Sequence, residues 1–182
     1  MEISDTQMPG VKLNCLSRHR DARGVFYEPC NKRNFAAAGI DVEFVQDNFA
    51  RSPKRGTIRG LHFQTPPHAQ AKLVWVVRGA ALDVVVDLRR GSPTFGKHQA
   101  FQLSADNARQ IFIPAGLAHG YCTLEADTEI TYKVDTFYAP GHEGGLLWND
   151  PEIGIQWPLN LGEITVADRE FPRFKDLPEI FS

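Results

Sequence analysis

The chain has 182 residues, of which 42% are hydrophobic and 23% charged, so it is long enough to bury a core and is expected to form one domain over residues 1–182. Its net charge of -2 provides no basic excess for neutralising the phosphates of a nucleic acid. Its apolar runs are much shorter than a membrane-spanning helix requires. We therefore expect no nucleic-acid partner and no membrane partner, and local arginines must hold any anionic ligand.

The cysteines and the N-terminus indicate the compartment. The three cysteines are widely spaced and form no Cys-x-x-Cys, which indicates neither a disulfide framework nor a zinc site. The first residues include acidic side chains and lack the apolar stretch of an export signal. Both features fit a reducing cytosol, so we predict a cytoplasmic protein.

Short β-type runs dominate the chain and recur about every ten residues, separated by Gly, Pro, Asn and Asp. This pattern is typical of an all-β sandwich or barrel. The runs that we predict as strands are Val42 to Gln46, Lys72 to Val77, Ala80 to Leu88, Gln99 to Leu103, Gln110 to Pro114, Gly120 to Leu124 and Glu129 to Val134.

Helical signal is sparse. Asn31 is a candidate cap for a short helix that ends at Gly39, and a turn or two is expected between Ala167 and Phe174. The proline-rich C-terminal segment predicts a tail laid across the barrel. The fold class is therefore all-β with a few short helices.

Two of the predicted strands carry polar residues at informative positions. In Ala80 to Leu88, alternation places Asp83 and Asp87 on one face, where both carboxylates need a partner. In the strand around His62, alternation directs Arg59 to the face opposite the imidazole. Gly60, two residues before His62, is expected to leave room for a ligand on the histidine face.

Several residues have two interpretations. His62 and His119 are the candidates for a two-histidine metal site, but neither has a second histidine close by in sequence. Lys72 is the first residue of an apolar strand. Its ammonium group either meets solvent or, in a cleft beside an imidazole, stabilises the oxygen of an enolate. The remaining four histidines are interpreted as hydrogen-bonded structural residues, namely His19, His68, His98 and His142. The segment from Gly91 to His98 is close to a phosphate-binding loop pattern but is interpreted as a turn.

Five separated motifs together resemble one family, the dTDP-4-dehydrorhamnose 3,5-epimerases. The resemblance runs from about Asp21 to Asp168. The motifs are IRGLHFQ from Ile58, LVWVVRGAALDVVVDLRRGSPTFGK from Leu73, IPAGLAHGY from Ile113, YKVDTFYAP from Tyr132 and LWNDPEIGIQWP from Leu147.

The resemblance implies a cupin-type jelly roll, a homodimer, no metal and no cofactor. It also implies a dTDP-linked 4-keto-6-deoxyhexose as substrate. The reaction would exchange protons at the carbons that flank the keto group, using a base on one face of the sugar and an acid on the other.

The resemblance also assigns roles to residues. His62 is identified as the base, Asp168 as the carboxylate that orients it, Tyr132 as the opposed acid and Lys72 as the counter-charge of the enolate. His119 and Asp83 have two interpretations: they are supporting residues of the same pocket, or they form a buried pair whose polar groups satisfy each other. The positions that resemble ligand-contacting residues of the family are Arg23, Phe26, Glu28, Gln46, Asn48, Arg59, His119 and Glu143.

The sequence departs from the family pattern at three positions. Ala71 stands where glycine is usual and Gly144 where arginine is usual, while Trp75 replaces a smaller or polar residue. The missing arginine at Gly144 either weakens a phosphate contact or has no effect. Three alternatives remain: an epimerase that inverts only C3, a catalytically silent sugar-binding jelly roll and a metal-dependent cupin.

Overall fold

The computed structural model describes residues 2–158 and 162–181. Two antiparallel sheets and a small hairpin form the fold, which confirms the predicted all-β class. The strands are β1 (Glu2–Asp5), β2 (Lys12–Cys15), β3 (His19–Asp21), β4 (Gly24–Phe26), β5 (Gln46–Ser52), β6 (Ile58–Gln64), β7 (Lys72–Arg78), β8 (Ala80–Asp87), β9 (His98–Ser104), β10 (Arg109–Ile113), β11 (Leu117–Thr123), β12 (Thr128–Val134) and β13 (Glu143–Gly145).

The strand order shows how the sheets are built. The six-stranded sheet has the order β1-β2-β10-β7-β12-β5, and the five-stranded sheet has the order β13-β6-β11-β8-β9. Strands that are distant in sequence are neighbours in both sheets, as the resemblance to a jelly roll implies. No helix in the described part of the chain is long and apolar enough to cross a membrane.

The main core lies between the two sheets. Val74 and Ile111 reach it from the six-stranded sheet, and Ala81 and Val85 from the five-stranded sheet. Val84 and Val86 point the other way, into a second apolar cluster that also contains residues of the C-terminal segment. The predicted alternation of β8 is therefore confirmed, as is the position of the tail across the barrel.

The outer face of the six-stranded sheet is covered by a short helix. This helix, α1 (Lys32–Ala37), has Asn31 as its N-cap, whose side chain accepts a hydrogen bond from the Asn34 backbone N–H. Gly39 follows the helix with a φ of 77°, a left-handed conformation that glycine adopts without strain. The predicted cap and the predicted end of the helix are both confirmed.

Strand β5 corrects the first predicted strand. The structure has no strand over residues 42–45, and β5 begins at Gln46, where the prediction ends. β5 pairs only with β12 and leaves alternate side chains exposed, so it is an edge strand. Because an edge strand needs few apolar residues, its sequence QDNFARS carries a weak β signal.

The turn predicted between β8 and β9 is confirmed, and Asp87 organises it. Its buried carboxylate accepts hydrogen bonds from the side chains of Arg89, Ser92 and Thr94. Burial by itself raises the pKa of Asp87, but these hydrogen bonds outweigh it and lower the pKa to about 2. The second carboxylate of β8 thus has the partners that its position required.

Candidate active site

A cavity of about 630 Å³ opens between the two sheets. A smaller cavity of about 130 Å³ adjoins it and shares His62, Lys72, Tyr132 and Glu143 with it. Most of the residues that line the larger cavity are of polar or charged type, and they come from both sheets and from the C-terminal segment. They include Ser52, Lys54, Arg59, His62, Lys72, His119, Tyr121, Tyr132, Glu143, Glu163, Thr165 and Asp168.

Two glycines allow the neighbouring strands β6 and β11 to lie close together beside this cavity. A Cβ on Gly60 would lie 2.7 Å from the Cα of Gly120, and a Cβ on Gly120 would lie 2.7 Å from the Arg59 carbonyl oxygen. The strands β6 and β11 therefore approach more closely than other residues allow. The space at Gly60 is filled by the β11 backbone, so the expectation that it accommodates a ligand was wrong.

The register of the two strands shifts at the same point. His119 pairs with His62, whereas Tyr121 pairs with Arg59, so β6 contains one residue more than β11 over this stretch. Such an irregularity returns residues three apart to the same face. Arg59 and His62 accordingly both line the cavity, and the predicted separation of the two side chains onto opposite faces was wrong.

The imidazole of His62 is held by Asp168. Nε2 of His62 lies 2.9 Å from Asp168 Oδ1, and the Gly60 backbone N–H donates to Asp168 Oδ2 at 3.0 Å. Burial raises the pKa of Asp168, but the hydrogen bonds from His62 and Gly60 lower it more, so its pKa is below the usual value. The carboxylate is therefore an ionised acceptor at neutral pH.

The tautomer of His62 follows from this contact. An ionised carboxylate only accepts hydrogen bonds, so His62 Nε2 carries the proton and Nδ1 keeps its lone pair. Phe171 packs edge-on against the imidazole with ring centroids 5.4 Å apart. One nitrogen of His62 is thus free to accept a proton from a ligand.

Asp168 is positioned by a second short helix, α2 (Val166–Arg169). Thr165 caps this helix, and its side chain accepts a hydrogen bond from the Asp168 backbone N–H at 3.1 Å. The cap fixes the first turn, from which the buried Asp168 side chain reaches β6. The helix begins one residue before the segment 167–174, where a turn or two was predicted, and overlaps its first three residues.

Tyr132 and Lys72 lie on the opposite wall. Tyr132 belongs to β12 and Lys72 to β7, both in the six-stranded sheet, whereas His62 belongs to the five-stranded sheet. Burial raises the pKa of Tyr132, which keeps the phenol protonated. Burial also lowers the pKa of Lys72 to about 8, opposed by the charges of Asp83 and Glu143. The wall facing His62 thus offers a proton donor and a cation.

A second histidine–carboxylate pair lies next to the first. His119 Nε2 is 2.9 Å from Asp83 Oδ2, and both side chains are buried. The buried polar pair was one of the two interpretations of these residues, and the structure shows it, although Asp83 Oδ1 is buried without a hydrogen-bond partner in the described chain. His119 lines the cavity, so the pair belongs to its wall.

The ligand-contacting candidates divide into two groups. Five of them line the cavities, and the Gln46 side-chain amide donates to Asn48 Oδ1 at 2.8 Å. These five are Gln46, Asn48, Arg59, His119 and Glu143. The other three candidates are away from both cavities, on or next to the β3–β4 hairpin, which forms a separate two-stranded sheet. These are Arg23, Phe26 and Glu28, of which Phe26 is 67% exposed.

The remaining histidines lie outside the two cavities. His98 Nδ1 is 3.0 Å from the Ile153 carbonyl oxygen and His142 Nδ1 is 3.2 Å from Thr65 Oγ1, which confirms their interpretation as structural residues. His68 packs against the ring of His142, and His19 is exposed. Over residues 2–158 and 162–181, no group of three or more His, Cys, Asp or Glu side chains is arranged to hold a metal ion.

Sequence reasoning missed several residues at the site, among them Thr165, Phe171 and Tyr121. Thr165 has a recognisable signal, since Thr-x-x-Asp at 165–168 is a helix-capping pattern. Phe171 has none, because its contact with His62 depends on the tertiary fold. Tyr121 is the last residue of the motif IPAGLAHGY, and the resemblance assigns no role to it, although it lines the cavity.

The three departures from the family pattern have structural consequences. A Cβ on Gly144 would lie 2.5 Å from the ring of Phe63, so a longer side chain there requires this ring to move. Trp75 packs in the cluster on the outer face of its sheet, away from the cavity. Ala71 is buried, and its backbone N–H donates to Asp135 Oδ1 at 2.7 Å.

A jelly-roll barrel with an oriented imidazole facing a half-buried phenol and a buried lysine defines a class of enzyme that moves protons by acid–base catalysis. The family profile described as dTDP-4-dehydrorhamnose 3,5-epimerase matches residues 5–176. The chain therefore belongs to the dTDP-4-dehydrorhamnose 3,5-epimerase family, and its activity is that of an isomerase acting on nucleotide sugars.

Individual relatives agree. The dTDP-4-dehydrorhamnose 3,5-epimerase of Pseudomonas aeruginosa is 50% identical over 97% of this chain and 97% of its own length. The crystal structure of the Bacillus anthracis enzyme with TDP and pyrophosphate bound superposes with a TM-score of 0.93 at 45% identity, covering 95% of this chain and 99% of that one. The Legionella pneumophila epimerase, in complex with dTDP-4-keto-L-rhamnose, has a TM-score of 0.93 at 38% identity, covering 97% and 94%.

The lowered pKa of Lys72 predicts the alkaline limit of activity. As the pH rises through about 8, Lys72 loses its proton, so we expect kcat to decline there. In Lys72→Arg the guanidinium stays charged, so the decline in kcat should disappear. We expect kcat of this variant to be lower at every pH, because the guanidinium differs in shape from the ammonium group. The measurement is kcat against pH from about 6 to about 10.

Lys12→Arg is the matched control, because Lys12 pairs with Asp5 outside the cavity. Its profile should equal that of the unmodified protein. A rate that stays level to about pH 10 in the unmodified protein would show that the charge of Lys72 is not needed.

Proposed function

We propose that this chain converts dTDP-4-dehydro-6-deoxy-D-glucose into dTDP-4-dehydro-L-rhamnose by inverting C3 and C5. The observation that carries the proposal is the placement of His62, oriented by Asp168, opposite Tyr132 across one cavity. We propose further that residues 1–182 act as one domain in the cytoplasm, where the product would serve the synthesis of surface polysaccharides such as lipopolysaccharide.

The proposed reaction begins at His62. A proton on C3 or C5 is acidic because the neighbouring C4 keto group accepts the electron pair as an enolate. His62 Nδ1 removes this proton from one face of the sugar, and Asp168 stabilises the resulting imidazolium. The negative charge moves onto the C4 oxygen, where the Lys72 cation stabilises it.

Tyr132 completes the inversion. Its phenol donates a proton to the same carbon from the opposite face, and the C4 keto group forms again. The enzyme returns to its starting state when the imidazolium loses its proton and the phenolate regains one through solvent. Because C3 and C5 both flank C4, the same groups serve both carbons, and the net change contains no oxidation that would need a cofactor.

The nucleotide portion requires a cation and polar contacts. Arg59 is exposed at the cavity, where its planar guanidinium suits two oxygens of a diphosphate. Its bonds within the chain are long, at 3.4 Å to Ser52 Oγ and 3.5 Å to the Arg51 carbonyl oxygen. We propose that Gln46, Asn48 and Glu143 make further contacts along the adjoining cavity.

We also propose that the active enzyme is a homodimer. Arg23 and Phe26 correspond to ligand-contacting positions, yet they lie outside the cavities of their own chain. The hairpin that carries them leaves Val25 and Phe26 exposed, which is an apolar surface available to a second copy. In a symmetric dimer each copy would place this hairpin against the cavity of the other.

Mixed dimers test this arrangement. Arg23→Ala and His62→Ala should each be nearly inactive alone, whereas an equal mixture after subunit exchange should regain about a quarter of the full activity, since half of the dimers then hold one intact site. Activity of the mixture no higher than that of the separate variants would show that each chain uses its own Arg23.

Deuterium exchange tests the roles of the base and the acid. In deuterated water, His62→Ala should abolish exchange at C3 and C5, because no group removes the protons. Tyr132→Phe should retain some exchange but block inversion, because only the donor on the opposite face is missing. Proton NMR of the dTDP-4-keto sugar measures both effects.

His98→Asn is the matched control for this experiment, because its imidazole lies outside both cavities. It should exchange and invert like the unmodified protein. Near-normal exchange in His62→Ala, or identical behaviour of the two active-site variants, would contradict the assigned roles. Exchange confined to C3 in the unmodified protein would instead identify a 3-epimerase.

A further inference from the structure

Tyr121 lines the cavity, but the mechanism proposed above does not use its hydroxyl. This hydroxyl is buried and has no hydrogen-bond partner in the part of the chain that the structure describes. Tyr121 lies on β11, two residues after His119, and its side chain is 5% exposed. The ring packs in the main apolar core between the sheets. The residue is therefore held firmly while it contributes to the cavity wall.

The hydroxyl of Tyr121 has no hydrogen-bond partner within the described chain. Ser52 lowers the pKa of the phenol as a weak hydrogen-bonding neighbour and Arg59 lowers it by its charge, but neither makes a hydrogen bond of normal geometry with the Tyr121 hydroxyl. A buried hydroxyl without a partner costs about 1–3 kcal/mol. Phenylalanine would fill the same apolar cluster without this cost, so packing alone does not account for the hydroxyl.

Burial raises the pKa of Tyr121 to about 12, with Arg59 opposing the shift. The phenol is consequently neutral at physiological pH and has a proton to donate. Arg59 and Tyr132 both act electrostatically on Tyr121, so its hydroxyl lies near the proposed diphosphate contact and near the proposed acid on the facing wall. An oxygen atom of a bound ligand is the acceptor that this position lacks.

We infer that the Tyr121 hydroxyl is a further substrate-positioning group, which donates a hydrogen bond to an oxygen of the nucleotide sugar lying between Arg59 and Tyr132. The inference rests on the proposed function, since it requires a nucleotide sugar in the cavity. A sugar hydroxyl and a phosphoryl oxygen are both acceptors of the required kind. The hydroxyl is satisfied only when the ligand is bound, so it contributes to affinity and costs stability in the empty protein.

The test is Tyr121→Phe, which removes one hydroxyl and keeps the ring. The Kd values of dTDP and of the unreactive dTDP-glucose are measured by calorimetry, and the melting temperature is measured without ligand. The Kd of dTDP-glucose should rise about three- to tenfold. The melting temperature should stay the same or rise, because an unsatisfied buried group is removed.

Thr128→Val is the matched control, because it removes a buried hydroxyl that has partners and lies outside the cavity. Thr128 donates to the carbonyl oxygens of Ala80 and Glu125. This variant should melt at a lower temperature and bind both ligands like the unmodified protein. The two variants therefore separate a hydroxyl that serves a ligand from one that serves the fold.

The ligands distinguish the acceptor. An equal rise in Kd for dTDP and dTDP-glucose assigns the bond to a phosphoryl oxygen, and a rise for dTDP-glucose alone assigns it to the sugar. Unchanged Kd values for both ligands, or a lowered melting temperature like that of Thr128→Val, would overturn the inference. Failure of the unmodified protein to bind either ligand would overturn the proposed function instead.

Discussion

The hydrogen bonds of the Asp168 carboxylate join the C-terminal segment to the middle of the five-stranded sheet. One oxygen accepts from the Gly60 backbone and the other contacts His62, so a single buried group fixes both the strand and the imidazole. The remaining features depend on this contact. The close approach of Gly60 and Gly120 brings β6 and β11 together beside this contact, and the cap at Thr165 holds the carboxylate in place.

The site is assembled from groups that are unfavourable in an empty protein. Lys72 is buried and its pKa is lowered to about 8, so folding disfavours its charged form. That cost is fully present below about pH 8 and disappears as the pH rises towards the unfolded value of about 10.4. Tyr121 and Asp83 each hold a buried oxygen without a partner. The extensive apolar core between the sheets offsets these costs and keeps the polar groups in position.

The sequence was sufficient for the fold class, because alternation is a local signal, and the resemblance of five motifs pointed to most of the side chains that meet at the cavity. The faces of β8 and the cap at Asn31 were predictable for this reason. The orientation of Arg59 was not, because the extra residue in β6 is set by contact with a distant strand. Edge strand β5 was misplaced because its exposure on one side allows a polar sequence. The unpartnered hydroxyl of Tyr121 depends on every neighbour around it, which no single motif encodes.

The position of the proton on His62 is the decisive measurement, because His62 can act as the base only if Asp168 holds the proton on Nε2 and leaves Nδ1 free. Nitrogen-15 NMR of the imidazole in the unliganded protein, at about pH 8 where a free histidine is neutral, distinguishes the two tautomers. We expect a protonated Nε2 and an unprotonated Nδ1, and a loss of this preference in Asp168→Ala. A proton on Nδ1 in the unmodified protein would show that Nδ1 is not the base.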